Sequence, residues 1–362
     1  EDYYTFTFGL ECNATEGDYT VYVAYNGFID NETYFIVSQV PEEQKHLLIT
    51  EVFYDTPGND NYEEWVEIYN PTEHEINLSG FSLEDNANSF TLPAFLIKPN
   101  ESIIIAKNAS GFAELYNYLP DIEGMSITLN NNGDVLRLKN GSEEIDMVAW
   151  ENYIAGWNIS ASTNRSIKRM PKDKDTDAAN DWIGNSQPDP EPAYYTFSMQ
   201  LYAGWNLISI PLELANWSVQ NVLVSISGYY TLVRQYDAQT GWHTYDPTLP
   251  EFSDLQEMDQ AHGYWINITG NATLTITGKR NIVSIPLYPS WNLIGYPSLD
   301  IKPIADALSG INGQYTIVRT YDPLTGWHTY DPALPEFSDL QEMVPGSGYW
   351  LNITTTTLLM VR

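Results

Sequence analysis

Residues 63–71 read EEWVEIYNP, and this stretch decides the fold. As an extended strand it turns Trp65, Val66 and Ile68 toward a core and leaves Glu64 and Glu67 to water. Asn70-Pro71 then ends it, because proline cannot donate to a ladder. The same two-residue period recurs along the chain. DYTVYVA (18–24), SIIIA (102–106), DVLRL (134–138) and TLTIT (273–277) are rich in β-branched and aromatic residues and stop at Gly, Asn or Pro. Only residues 110–118, 217–226 and 301–311 carry a spacing that admits a short helix. The predicted class is all-β, built as tandem β-sandwich modules.

Around the opening stretch the segments follow a fixed order. LLITEVFYD (47–55) precedes it, and GFSLED (80–85) closes the run that it begins. Then come FTLPAFLIKPNESIIIA (90–106), NNNGDVLRLKNGSEEIDMVAW (130–150) and SIKRMPKDKDTDAANDW (166–182). Gly133-Asp134 fits a hairpin turn between strands at 127–129 and 135–138. This succession, over residues 45–189, resembles the lamin-tail domain. The resemblance implies an immunoglobulin-like β-sandwich of a kind that prokaryotes attach to secreted proteins.

Residues 1–41 hold three strands, at 3–10, 18–25 and 33–40. They are similar to the last strands of an immunoglobulin-like domain, and three strands are too few to close a sandwich. Three readings stay open. The chain begins inside a domain, a partner chain supplies strands by pairing with an open edge, or these strands pack on the next domain. On the far side, QPDPEP (187–192) alternates proline with acid and predicts an extended, stiff spacer.

Residues 194–362 contain an internal repeat. YDAQTGWHTYDPTLPEFSDLQEM (236–258) returns as YDPLTGWHTYDPALPEFSDLQEM (321–343), identical at 20 of 23 positions. AGWNLISIP (203–211) returns as PSWNLIGYP (289–297), and HGYWINIT (262–269) as SGYWLNIT (347–354). Two small β modules are expected, at 190–278 and 279–362. The motif set is similar to a repeat of archaeal and bacterial surface proteins, and that resemblance carries no activity. TTTTLLMVR (354–362) reads as a strand whose partner is a neighbouring chain.

Composition narrows the function. The 362 residues carry 48 Asp+Glu against 16 Lys+Arg, a formal charge of −32, so nucleic acid is a poor partner. The acids are spread through every segment, which makes the charge a property of the whole surface. Disorder is excluded by 43% hydrophobic and 14% aromatic residues. No run approaches the roughly 20 apolar residues of a membrane span, so no membrane insertion is expected within this chain. Twelve Asn-x-Ser/Thr sequons occur: Asn13, Asn31, Asn77, Asn100, Asn108, Asn140, Asn158, Asn164, Asn216, Asn267, Asn271 and Asn352. Chance pairing of 30 Asn with 53 Ser+Thr gives about 4, and the excess points to an exported chain with N-linked glycans. The low cysteine count, a lone Cys12, with so much acid points to an archaeal-type cell rather than a disulfide-rich secreted protein.

Catalytic motifs are scarce. The five histidines are His46, His74, His243, His262 and His328, and His243 and His328 occupy the same repeat position inside GWHTYDP. No GxSxG, HExxH, CxxC or phosphate loop is present. Catalytic and cofactor-binding residues are therefore expected to be none. Asp173, Asp175, Asp177 and Asp181 alternate through KDKDTDAANDW, oxygen ligands of the type Ca²⁺ takes, although Lys168, Arg169, Lys172 and Lys174 stand beside them as counter-ions. DTPGNDNYEE (55–64) is a second acidic loop and is also good turn chemistry. Trp242, Tyr245, Tyr264 and Trp265 recur as Trp327, Tyr330, Tyr349 and Trp350, either to fill small cores or to stack on sugars.

The reading that fits these signals is a non-catalytic, glycosylated structural protein of the extracellular cell surface. It would be a subunit of a filament, sheath or surface layer that self-assembles with copies of the same chain, with divalent cations around its carboxylates. The alternatives are a glycan-binding adhesin module and an accessory region of a larger secreted hydrolase.

Overall fold

The computed structural model describes residues 45–362 and, upstream, four strands at Gly17–Val21, Ala24–Tyr25, Phe28–Ile29 and Thr33–Val37. The chain divides into two units, Glu1–His46 and Leu47–Arg362. In the first, Gly17–Val21 pairs antiparallel with Thr33–Val37, and Ala24–Tyr25 with Phe28–Ile29. The strand expected at 3–10 lies outside the described residues, as do Cys12, Asn13 and Asn31.

The second unit opens with a sandwich. Its larger sheet runs, in spatial order, Ile122–Glu123, Ser102–Ala106, Trp65–Tyr69, Leu48–Asp55, Arg165–Arg169 and Trp182–Ser186. The facing sheet runs Glu143–Trp150, Asp134–Asn140, Phe81–Glu84 and Ser89–Thr91. Between them Val66, Ile68, Leu83, Ile103 and Leu136 are buried, and Tyr54 stacks on Trp150 with ring centroids 5.1 Å apart. The hairpin of the smaller sheet turns at Gly141 (φ 60°), between Asp134–Asn140 and Glu143–Trp150. Gly141-Ser142 form the two-residue loop, and glycine at its first position accepts the positive φ that such a hairpin demands. The turn expected at Gly133-Asp134 exists, but residues 127–129 form no strand before it.

Glu64 and Glu67 contradict the simple alternation, since both are buried. The outer face of the larger sheet is covered as well as the inner one. Helix Ala109–Tyr116 lays Phe112 on Phe53, Trp65, Ile104 and Ala106, forming a second small core there. Its N-terminus is closed by Asn108, whose side chain accepts from the backbone of Ser110 and Gly111.

The two repeats share one plan. In the first, Gly204–Ile208, Tyr264–Ile268, Tyr230–Asp237 and Gly241–Tyr245 make a four-stranded sheet, and Tyr195–Leu201 pairs with Ala272–Gly278. In the second, Ser290–Ile294, Tyr349–Ile353, Tyr315–Asp322 and Gly326–Tyr330 do the same, and Val283–Leu287 pairs with Thr357–Val361. The strand read in TTTTLLMVR thus takes its partner from its own chain rather than from a neighbour. Each repeat has a separate apolar core. The helical stretches expected at 217–226 and 301–311 shrink to single turns, Val219–Val222 and Ile304–Ala307, each followed by a 3-10 turn. Each repeat also projects a 3-10 turn, Pro250–Phe252 and Pro335–Phe337, whose Phe is 81% exposed.

Candidate functional site

The acidic run at 173–181 folds around Arg169. This guanidinium is buried and all five of its N–H groups donate. Nε reaches the Ile49 carbonyl (2.9 Å), and Nη2 forks onto both oxygens of Asp146 (2.7 and 2.8 Å). Nη1 takes the Lys174 carbonyl (2.7 Å) and Asp175 (3.0 Å), and Trp182 lies over the guanidinium at 5.0 Å. Asp181 accepts from Lys174 Nζ at 2.9 Å and from Thr176. Burial raises the Asp181 carboxyl, but the bonds from Lys174 and Thr176 more than offset this and hold it below its ordinary value. Asp173 and Asp177 face solvent. Asp175 and Asp181 thus meet Arg169 and Lys174, and the four carboxylates do not gather at one point. Among the described residues, no three His, Cys, Asp or Glu side chains are placed to hold a metal ion.

The second acidic loop is spent on turns. Asp60 accepts from the backbone and hydroxyl of Thr56 (3.0 and 2.8 Å), and Glu63 accepts from Gly58 N at 2.8 Å. Asn131 donates to the free oxygen of Asp60 at 2.9 Å.

Glu67, which the pattern placed in water, is instead enclosed, together with Glu51. Glu51 and Glu67 stand opposite each other in register on the outer face of the larger sheet. Ser166 donates to Glu51 and Thr50 to Glu67, both at 2.6 Å. Lys168 lies 3.7 Å from Glu51, and Lys172 lies 3.1 Å from Glu67. Burial pushes the Glu51 carboxyl up to about 8, against the pull of Ser166 and Lys168. Glu64 is likewise pushed up to about 8 by burial, opposed by the Leu129 N–H and by Lys107.

What encloses this pair is the QPDPEP segment. Rather than a free spacer, it is a strap across the sheet. Pro188, Pro190 and Pro192 are buried while Asp189 and Glu191 point outward. Glu191 N donates to Glu67 at 2.9 Å, Asp189 N to Glu51 at 3.4 Å, and Tyr118 Oη to the Pro190 carbonyl at 2.5 Å. Lys168 pairs with Asp189, and Lys172 with Glu191. Each lysine thus ties one sheet carboxylate to one strap carboxylate.

His243 and His328 sit in duplicated Thr-His-Asp arrays. His243 lies 2.8 Å from the Thr240 hydroxyl and 3.1 Å from Asp254, and His328 lies 2.7 Å from Thr325 and 3.0 Å from Asp339. The outline resembles a nucleophile, base and orienting acid. However, the hydroxyls of Thr240 and Thr325 also bond Asp237 and Asp322, at 2.9 and 3.0 Å. A hydroxyl has one proton, and a carboxylate takes it more strongly than a neutral ring. The arrangement acts as a clamp between the GWHTY hairpin and the following loop.

The aromatic residues divide by type. Tyr245, Tyr264, Tyr330 and Tyr349 are buried in the repeat cores. The tryptophans lie between repeats. Trp265 packs on Tyr321 and Trp327 of the second repeat, at 5.3 and 5.7 Å. Trp350 packs reciprocally on Tyr236 and Trp242 of the first, at 5.3 and 6.0 Å. Arg234 lies over Trp242 and Arg319 over Trp327. Backbone contacts follow the same exchange, with Gly348 N donating to Leu207 O and Gly263 N to Leu293 O. The signal for this pairing was the repeat itself, since two copies of one surface can meet isologously.

Ten sequons fall among the described residues. Asn77, Asn100, Asn140, Asn158, Asn164, Asn216 and Asn271 are exposed; Asn108, Asn267 and Asn352 are half-buried. No helix among the described residues is long and apolar enough to cross a membrane.

No curated protein gives a match to this chain. The sandwich does have a family counterpart. Its two-sheet order, with the central strand EEWVEIY, agrees with the match of residues 41–152 to the Lamin Tail Domain, an immunoglobulin-like family without enzymatic activity.

Proposed function

We propose that this chain is a non-catalytic, glycosylated structural protein of the extracellular cell surface, a subunit of a filament, sheath or surface layer in an archaeal-type cell. The observation that carries the reading is the position of the sequons. None of the ten sequon asparagines among the described residues is buried, seven being exposed and three half-buried, although the sandwich and repeats bury much of their sequence. Glycan attachment requires such exposure. Copies associate in this reading through sheet edges, with exposed carboxylates such as Asp173 and Asp177 available for divalent cations shared between copies. Electron micrographs of concentrated native protein test it: ordered polymers are expected, and dispersed monomers would overturn it. Mass analysis of the same material is expected to find glycopeptides at the exposed sequons.

One observation favours a second reading, a glycan-binding module. Trp242 and Trp327 are 49% and 45% exposed, which leaves part of each indole within reach of a sugar ring. A glycan array with Trp242→Ala and Trp327→Ala separates the two. Binding lost in both variants supports recognition, and an array without signal leaves assembly as the function.

A further inference from the structure

The turn that joins Tyr264–Ile268 to Ala272–Gly278 edges an open cleft of about 660 Å³ on the first repeat. Tyr202, Tyr229 and Asn271 line it. Among the described residues, none with a charged side chain does so, in a chain of 48 acids and 16 bases. Hydrogen bonds fix both tyrosines against the turn. Thr269 donates to the Tyr229 carbonyl from its backbone N–H (2.8 Å) and its hydroxyl (3.1 Å). Ala203 N, next to Tyr202, donates to Asn271 Oδ1 at 3.1 Å.

The other polar groups of the cleft are spent within the chain. Gln200 Nε2 donates to the Leu201 and Ala272 carbonyls, both at 3.0 Å, and its Oε1 accepts from the Thr273 hydroxyl at 3.2 Å. The Ser225 hydroxyl accepts from Thr275 N at 2.9 Å and donates to the Thr275 carbonyl at 3.1 Å. Among the described residues, the Tyr202 and Tyr229 hydroxyls and Asn271 Nδ2 make no hydrogen bond, and Tyr229 is 49% exposed. A cleft built to seize a free sugar would keep several convergent donors and acceptors open. This one keeps two tyrosines and the one amide nitrogen through which Asn271-Ala272-Thr273 would take an N-linked glycan.

The second repeat shows that the module folds without this arrangement. Thr354 makes the same two bonds, at 2.9 and 3.1 Å, to the carbonyl of Gln314, which stands where Tyr229 does. Tyr288 keeps the place of Tyr202, and Thr356 stands in place of Asn271. Tyr229 and this sequon are thus present together in one copy and absent together from the other.

We infer, on the reading of the chain as glycosylated, that Asn271 carries an N-linked glycan whose first sugars lie in the cleft against Tyr202 and Tyr229. A pyranose turns a face of C–H groups to a phenol ring and loses water from both on contact. The absence of charge around the cleft suits an uncharged sugar. The volume falls within the range of about 300–1,000 Å³ usual for small ligands, which accommodates the attached sugars and leaves the rest of the glycan in solvent.

Peptide mass analysis and thermal melting of the full chain from its native glycosylating host test this. A glycopeptide containing Asn271 is expected. Asn271→Thr and Tyr229→Gln each introduce the residue that the second repeat carries at that place, so both variants keep the fold. Asn271→Thr should lower the melting temperature by roughly 2–4 °C in the parent and by much less in the Tyr229→Gln background, because the contact is then already lost. Asn140→Gln, at a sequon outside the cleft, should have the same effect in both backgrounds. Additive losses from Asn271→Thr and Tyr229→Gln would overturn the docking. A bare Asn271 beside occupied sequons would overturn it while leaving the glycosylated reading intact. Absence of glycopeptides at every sequon would overturn both.

Discussion

Arg169 shows how one side chain organises a loop whose composition reads as a metal site. The charge that the aspartates collect around is already covalently part of the chain, with every donor used. Replacing Arg169 by Ala leaves Asp146 buried without a counter-charge. The expected cost is about 3–5 kcal/mol, measured by urea or thermal unfolding. Arg169→Lys should fall well short of rescue, because an ammonium cannot fork onto a carboxylate and also reach two carbonyls. Melting in EDTA and in millimolar Ca²⁺ should then coincide; a clear rise with Ca²⁺ would restore the cation that the alternating aspartates first implied.

At the scale of elements, the strap and the repeat interface are the two features to test. Changing Pro188, Pro190 and Pro192 together to Ser keeps the strap's backbone donors but loosens the unfolded chain. The expected loss is roughly 1–3 kcal/mol, with faster proteolysis at residues 187–192 than in the parent. Across the repeats, Trp265→Ala and Trp350→Ala should destabilise by similar amounts, about 2 kcal/mol each, since they occupy equivalent places in a reciprocal contact. Strongly unequal losses would argue against that reciprocity. Much of this was legible beforehand. EEWVEIYNP gave its strand, and the 23-residue identity announced two like modules. What the alternation missed was a third layer. Glu67 points away from the sandwich core, on the same face as Trp65, but a helix and a proline strap wait on that side. Period-two patterning reports which residues share a face, not whether the second face is also covered. The strap itself was visible only as composition, and nothing in alternating proline and acid says where such a segment will lie.

For the molecule as a whole, the buried carboxylates set an unusual pH profile. Glu51 and Glu64 rise from 4.5 to about 8, and Asp121 from 3.8 to about 6, chiefly through burial. The folded chain therefore keeps protons that the unfolded chain has already released, and between those values stability falls as pH rises. The aspartates whose values are lowered, such as Asp181 and Asp339, act in the opposite sense, giving stability above 3.8 that is lost as pH drops. The expected melting temperature passes through a maximum near about pH 4.5 and declines toward pH 8. Glu51→Gln with Glu64→Gln should flatten that decline, and an unchanged slope would refute the assignment. The strap adds a mechanical consequence. It is held along its length and already extended, so it stores almost no slack. A pull transmitted between sandwich and repeats reaches its lysine ties before any strand is sheared. Peeling it would lift Asp189 and Glu191 off their lysines and open two facing carboxylates to water, making the junction the first part of the molecule to register load.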